Sequence, residues 1–210
     1  MTAGFRHRSD AGAPSPPPGA HDLASLAHAL RADTLDLVPV ILPHAPWQVD
    51  IQGYLRRETI WADELPAGFN AVPNKVPYVL DGAPLYPELV VVRLLELAGW
   101  NAAWRKTWNG EAYWRDVREP VELPDHLVSA LEQISLHAGH PGHWEIVAWR
   151  GRQLRLLSSR PSGGQLVSAY QAEWLSIALQ VGLPIGCFAV VEHRVVRAPR
   201  RRRLQHIPPD

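Results

Sequence analysis

The sequence predicts a mixed α/β protein with a central sheet flanked by helices, and three observations carry that expectation. Over its C-terminal half, the chain reads helix, strand, an insertion, strand, strand, helix, strand. Prolines and glycines punctuate that order at element boundaries rather than inside the elements. Of the 210 residues, 46% are hydrophobic and 20% charged, enough apolar surface for one globular core with some disordered margin.

The first 20 residues, rich in Pro, Gly, Ala and Ser, cannot bury apolar surface and read as a disordered leader. An amphipathic helix is expected from His21 to Leu30. The strand-like DLVPVIL follows, and then WQVDIQGYLRRETIW with its period-two stretches. Between Leu65 and Pro87, prolines at 66, 73, 77, 84 and 87 argue against regular structure and for an extended, wrapping segment. Residues 21–84 together are expected to form an N-terminal extension or cap on a core spanning 85–197.

Within that core, PELVVVRLLELAGW reads as a helix that Pro87 starts and Gly99 ends. NAAWRKTW and EAYWRDV read as strands, and PDHLVSALEQISLHAG as a helix favoured at its start by Pro124 and Asp125. HWEIVAW and QLRLLSS form a predicted hairpin around Arg150-Gly151. A helix is expected from about Gln165 to Val181, and the strand IGCFAVVE closes the series. Residues 198–210 form a basic tail.

Composition excludes several classes. The formal net charge is zero, so nucleic acid is not recruited by a global basic field, and any such binding needs a local patch. Cys187 is the only cysteine, which rules out an internal disulfide and a cysteine-rich zinc cluster and leaves core packing as its role. The N-terminus lacks an apolar signal region and no window is long enough to span a bilayer, so a cytoplasmic protein that does not insert in membranes is expected.

Strand periodicity places Glu145, Val147 and Trp149 on one face, and Leu154, Leu156, Ser158 and Arg160 on one face of the neighbouring strand, across from Glu145. A carboxylate on an apolar face is costly without a cation, a proton or donors. On the last helix, at about 100° per residue, Gln171 lies among Val167, Trp174, Leu175 and Ala178 on the apolar stripe, with Ala172, Ser176 and Gln180 on the far side. A core-facing amide needs partners, either a polar cluster beneath the helix or an exposed backbone group. Glu88 opens the first core helix, where a solvated face shared with Arg93 and Glu96 is the alternative to a functional role. For Glu145 that alternative is pairing with Arg150 or Arg152.

In element order and in these residues the chain resembles VRR-NUC-like domains of the PD-(D/E)xK, restriction-endonuclease-like nuclease superfamily. The resemblance covers a little over half the chain. It aligns Glu88 with the acidic residue of the first helix, Trp144-Glu145 with the Pro-Asp step, Ser158 and Arg160 with the carboxylate and lysine of (D/E)xK, and Gln171 with a glutamine on the following helix. It implies a restriction-endonuclease-like core, metal ligation by Glu88 and Glu145, and catalytic positions at Glu145, Ser158, Arg160 and Gln171. It also implies Mg²⁺, with Mn²⁺ as a substitute, and nucleic acid as partner, DNA ahead of RNA.

The departures point toward lost hydrolysis. Ser158 removes a formal charge where a hard cation needs anionic oxygen, and Arg160 keeps positive charge yet cannot lose a proton to act as a base. The expectation is a catalytically impaired nuclease-fold protein that binds nucleic acid through Arg160 and the tail arginines Arg200, Arg201, Arg202 and Arg203. Two alternatives remain open. One is an active, divergent metal-dependent nuclease whose ligands have been rebuilt from Glu96, Glu111 or Asp116. The other is a non-enzymatic interaction domain with a protein partner. HAGHPGH, with His137, His140 and His143, carries a zinc-like spacing, but Gly139, Pro141 and Gly142 break the helix that would align it. The tryptophans read as core or rim packing ahead of base-stacking platforms.

Overall fold

The computed structural model describes residues 20–43, 47–69, 71–72, 75–106, 112–138 and 144–196. In chain order they form α1 (Ala20–Ala29), β1 (Asp33–Thr34), β2 (Val38–Ile41), β3 (Gln48–Glu58), β4 (Tyr78–Leu80), β5 (Ala83–Leu85) and α2 (Pro87–Leu97). Then come β6 (Asn101–Lys106), β7 (Ala112–Asp116), β8 (Glu119–Val121), α3 (Asp125–Ala138), β9 (Ile146–Arg150), β10 (Gln153–Pro161), α4 (Ala169–Gln180) and β11 (Phe188–Val195). The fold is α/β: a nine-stranded mixed sheet runs β1-β3-β11-β10-β9-β6-β7-β8, with β2 also paired to β3.

The helix–strand order of residues 87–195 is as the sequence predicts. Pro87 occupies the first turn of α2 and Gly99, at φ 81°, ends it. The β9–β10 hairpin turns at Gly151 with φ 58°, a left-handed conformation that glycine adopts without steric cost. β8 is an additional short strand, paired antiparallel with β7.

Alternate residues along the central strands feed two separate cores. Val147, Trp149, Leu156, Phe188 and Val190 face α3 and α4, packing with Leu127, Ile134, Trp174 and Leu175. Ile146, Ala148, Leu157, Ala189 and Val191 face α1 and α2, packing with Leu26, Leu89, Val92 and Leu95. Both faces are covered, which is why the strands read as nearly continuous apolar runs.

The segment expected as an extension or cap is woven into the sheet. β3 pairs parallel with β11 along its second half, from Ala189↔Gln52 to Val195↔Glu58, and Tyr54 is fully buried in the α2-side core. The proline-rich stretch departs from the expectation of no regular structure, since β4 and β5 form a hairpin around Asp81-Gly82, whose φ values are both positive. Two short strands tolerate Pro84 because no longer ladder is interrupted. α4 also differs: Ala172 and Ser176, placed on its far side, are buried as well, because α3 covers that flank. Cys187 is buried in the α3/α4-side core, as expected. Among the described residues no helix is long and apolar enough to cross a membrane.

Candidate functional site

Strand register assembles most of the site. Leu157 pairs with Ile146, so the next residues along, Ser158 and Glu145, come side by side where β9 begins. The Glu145 carbonyl accepts the Arg105 N–H at 2.7 Å, tying that point to β6. From β10, the Arg160 Nη2 reaches the Glu145 Oε1 at 2.7 Å. Their side chains are 29% and 20% exposed, so the pair is reachable from solvent yet largely desolvated.

Glu145 is held above the ordinary glutamate range. Burial is the largest cause. Arg160 opposes it, Glu88 pushes the same way as burial, and the Ser158 hydroxyl lowers it slightly. The Glu145 Oε2 is buried without a hydrogen-bond partner. The alternative partners Arg150 and Arg152 are not the ones it finds; Arg150 instead lies 4.6 Å from the centre of the Trp100 ring.

α4 closes the site from one side. Its glutamine satisfies both readings of a buried amide: the Gln171 Nε2 donates to the Ser158 Oγ at 2.9 Å, while its Oε1 accepts the Ser168 N–H at 2.8 Å in a capping box. Both Gln171 and Ser158 are fully buried. Trp144 packs edge-on to Phe188 at 5.0 Å, and its indole N–H points to the Gln171 carbonyl at 3.4 Å.

Glu88 comes from the first turn of α2 and is buried, not part of a solvated face with Arg93 and Glu96. Its Oε1 is paired with Lys75, and its Oε2 is buried without a hydrogen-bond partner. Lys75 also sits 4.9 Å from the centre of the Trp104 ring. No local signal marks Lys75: it lies in the proline-punctuated stretch, where no periodicity links it to α2. Glu96 and Asp116 do not supply replacement ligands. Glu96 is committed to Arg93 at 3.1 Å and Arg115 at 2.8 Å, on the last turn of α2 and about 12 Å along the helix from Glu88 at 1.5 Å per residue. Asp116 faces Arg93 at 3.9 Å.

Among the described residues, no group of three or more His, Cys, Asp or Glu side chains could hold a metal. Two buried carboxylates, each with one oxygen on a cation and one unpartnered, fit only a cation that keeps several waters, as Mg²⁺ does. The His137 Nδ1–H donates to the Gln133 carbonyl of its own helix at 2.7 Å. His140, His143, Glu111 and the arginines Arg200, Arg201, Arg202 and Arg203 lie outside the described residues. Most described tryptophans serve the cores or their margins; Trp47 is the largely exposed exception.

The fold and the site define an α/β protein with two desolvated carboxylates, each neutralised by a basic side chain, at one end of a mixed sheet. Comparisons with protein-family models, curated proteins and solved structures found no match.

Proposed function

We propose that this chain is a nuclease-like, nucleic-acid-binding protein in which phosphodiester hydrolysis is impaired. The observation that carries the reading is the Arg160–Glu145 pair at 2.7 Å. A guanidinium stands against the carboxylate that a metal-dependent nuclease would offer to its cation. A phosphate can draw Arg160 away bidentately, because the guanidinium fork matches its oxygens. Hydrolysis demands more. Burial and Glu88 favour the protonated form of Glu145, which weakens it as a metal ligand. Ser158 adds no charge; its oxygen accepts from Gln171 and its hydroxyl faces Glu145.

Glu88 and Glu145 would hold Mg²⁺ or Mn²⁺ through their unpartnered oxygens, and the ion would supply Lewis-acid stabilisation of the phosphoryl charge. Weak metal affinity follows from a donor set that small. DNA is the favoured polymer, on the resemblance noted above, and a cytoplasmic setting fits it. One observation favours the runner-up, a divergent active nuclease: Lys75, 31% exposed and paired with Glu88, brings an ammonium to the site from outside the motif strand.

The test is cleavage and binding on single-stranded, duplex and branched DNA and RNA with Mg²⁺ or Mn²⁺, comparing the native chain, Glu145→Ala, Lys75→Ala and Ser158→Glu/Arg160→Lys. Binding without cleavage by the native chain, and cleavage gained by the double variant, is the expected result. Cleavage by the native chain that disappears in Glu145→Ala and Lys75→Ala would instead establish the active enzyme. Absence of binding in every variant would leave an interaction domain.

A further inference from the structure

A second polar cluster lies on the α2-side face of the same sheet, opposite to Glu145, Ser158 and Arg160 and on the side that carries Glu88. There the strands β3, β11 and β10 run parallel, and the apolar ladder of Tyr54, Val191 and Leu157 gives way at their carboxyl ends to Arg56, Glu58, His193 and Ser159. Carboxyl ends of parallel strands are where open α/β sheets place their ligands. All four side chains are buried, the most exposed at 6%.

The contacts form a line. The Ser159 Oγ is 2.8 Å from the His193 Nε2, and the His193 Nδ1 is 2.8 Å from the Glu58 Oε1. The Arg56 Nε donates to that same Oε1 at 2.7 Å, and its Nη1 is anchored on the Leu30 carbonyl. Burial alone would raise the Glu58 carboxyl, but hydrogen bonds from His193 and Arg56 outweigh it and hold the group below its ordinary value. An ionised Glu58 can only accept, so the Nδ1 of His193 carries the proton donated to it. In a neutral imidazole the Nε2 is then an acceptor, and the Ser159 hydroxyl must be the donor. Direction and order are those required of a nucleophile, its general base and the carboxylate that orients the base.

We propose that Ser159 is the nucleophile of a Ser159–His193–Glu58 relay acting on small activated acyl esters. The Ser159 Oγ forms a bond to the ester carbonyl carbon while its proton passes to the His193 Nε2. The bond to the leaving alcohol then breaks, and His193 returns that proton to the departing oxygen. Water hydrolyses the acyl-serine by the same proton path in reverse, regenerating the hydroxyl. Ser159 and His193 are the catalytic residues, and Glu58, held by Arg56, is a positioning residue. Tyr78, on the β4–β5 hairpin, lies over the relay with its ring 5.6 Å from that of His193. The hairpin rests on α2 through a small separate cluster of Tyr78, Leu80, Val90 and Leu94.

The experiment is labelling of the full chain with diisopropyl fluorophosphate, followed by peptide mass spectrometry, together with p-nitrophenyl acetate turnover. One adduct per chain, on Ser159, is expected. Ser159→Ala should carry none, and His193→Ala should slow labelling on the order of a thousandfold or more. Glu58→Gln should lower the rate while leaving the final extent at one adduct, a separation that a purely structural Glu58 would not produce. Tyr78→Ala should label faster than the native chain. If neither the native chain nor a folded Tyr78→Ala variant is labelled, or if the adduct sits elsewhere, the relay is a structural hydrogen-bond network and the proposal falls. This outcome is distinguishable from that of the cleavage assay above, because labelling of Ser159 is read without nucleic acid or metal.

Discussion

Replacing Arg160 by methionine tests how the site is held together. The change keeps the aliphatic stem and removes the charge, leaving Glu145 desolvated beside Glu88 with no counter-ion. Removing one partner of a fully buried pair costs about 3–5 kcal/mol. With the two side chains here 29% and 20% exposed, solvent screening reduces that to roughly 2–3 kcal/mol. For a chain of this size the loss corresponds to a fall in Tm of about 4–12 °C. The cost must also depend on pH. A carboxyl whose folded value is raised holds its proton more tightly folded than unfolded, so its contribution is favourable below the ordinary value of 4.5 and is lost as pH rises through the folded value. Arg160→Met should therefore destabilise strongly near pH 7.5 and little near 4.5, where Glu145 is becoming neutral in both states. Thermal unfolding by circular dichroism at the two pH values reads this, with Arg160→Met/Glu145→Gln as the second variant. A loss of equal size at both pH values, or one that Glu145→Gln fails to relieve, would refute the reasoning.

Two further outcomes follow from the packing. Gln171→Leu should cost about 1–3 kcal/mol in urea denaturation at constant m value, because the buried Ser158 oxygen loses its donor; adding Ser158→Ala should recover much of the loss, and no recovery would mean the helix cap carries the effect. Gly53→Ala should cost about 1–3 kcal/mol by the same assay, since a Cβ there meets the Val38 Cγ2 at 3.0 Å, the Leu35 Cβ at 3.1 Å and the Asp36 carbonyl at 3.3 Å; an unchanged midpoint would show that the chain between β1 and β2 yields freely.

Sequence alone determined the elements of the C-terminal half and the faces on which Glu145, Ser158, Arg160 and Gln171 lie. Those readings depend on local rules: the two-residue period of a strand, the turn of a helix, and the boundaries marked by Pro87, Gly99 and Gly151. The hairpin brings Glu145 to Ser158 because only a two-residue turn separates its strands, so register follows from neighbours in sequence. Tertiary structure decided the rest. Parallel pairing of β3 with β11 joins residues more than a hundred positions apart, and no local period encodes which strand neighbours which. The same pairing brings Glu58 to His193, and the path of the proline-punctuated stretch brings Lys75 to Glu88. Burial was decided there too: Glu88 reads as a solvated residue on its own helix and becomes buried only because Lys75 and the neighbouring strands close over it. A side chain's chemistry is written in the sequence, but the charge it faces and the water it keeps are set by what folds against it.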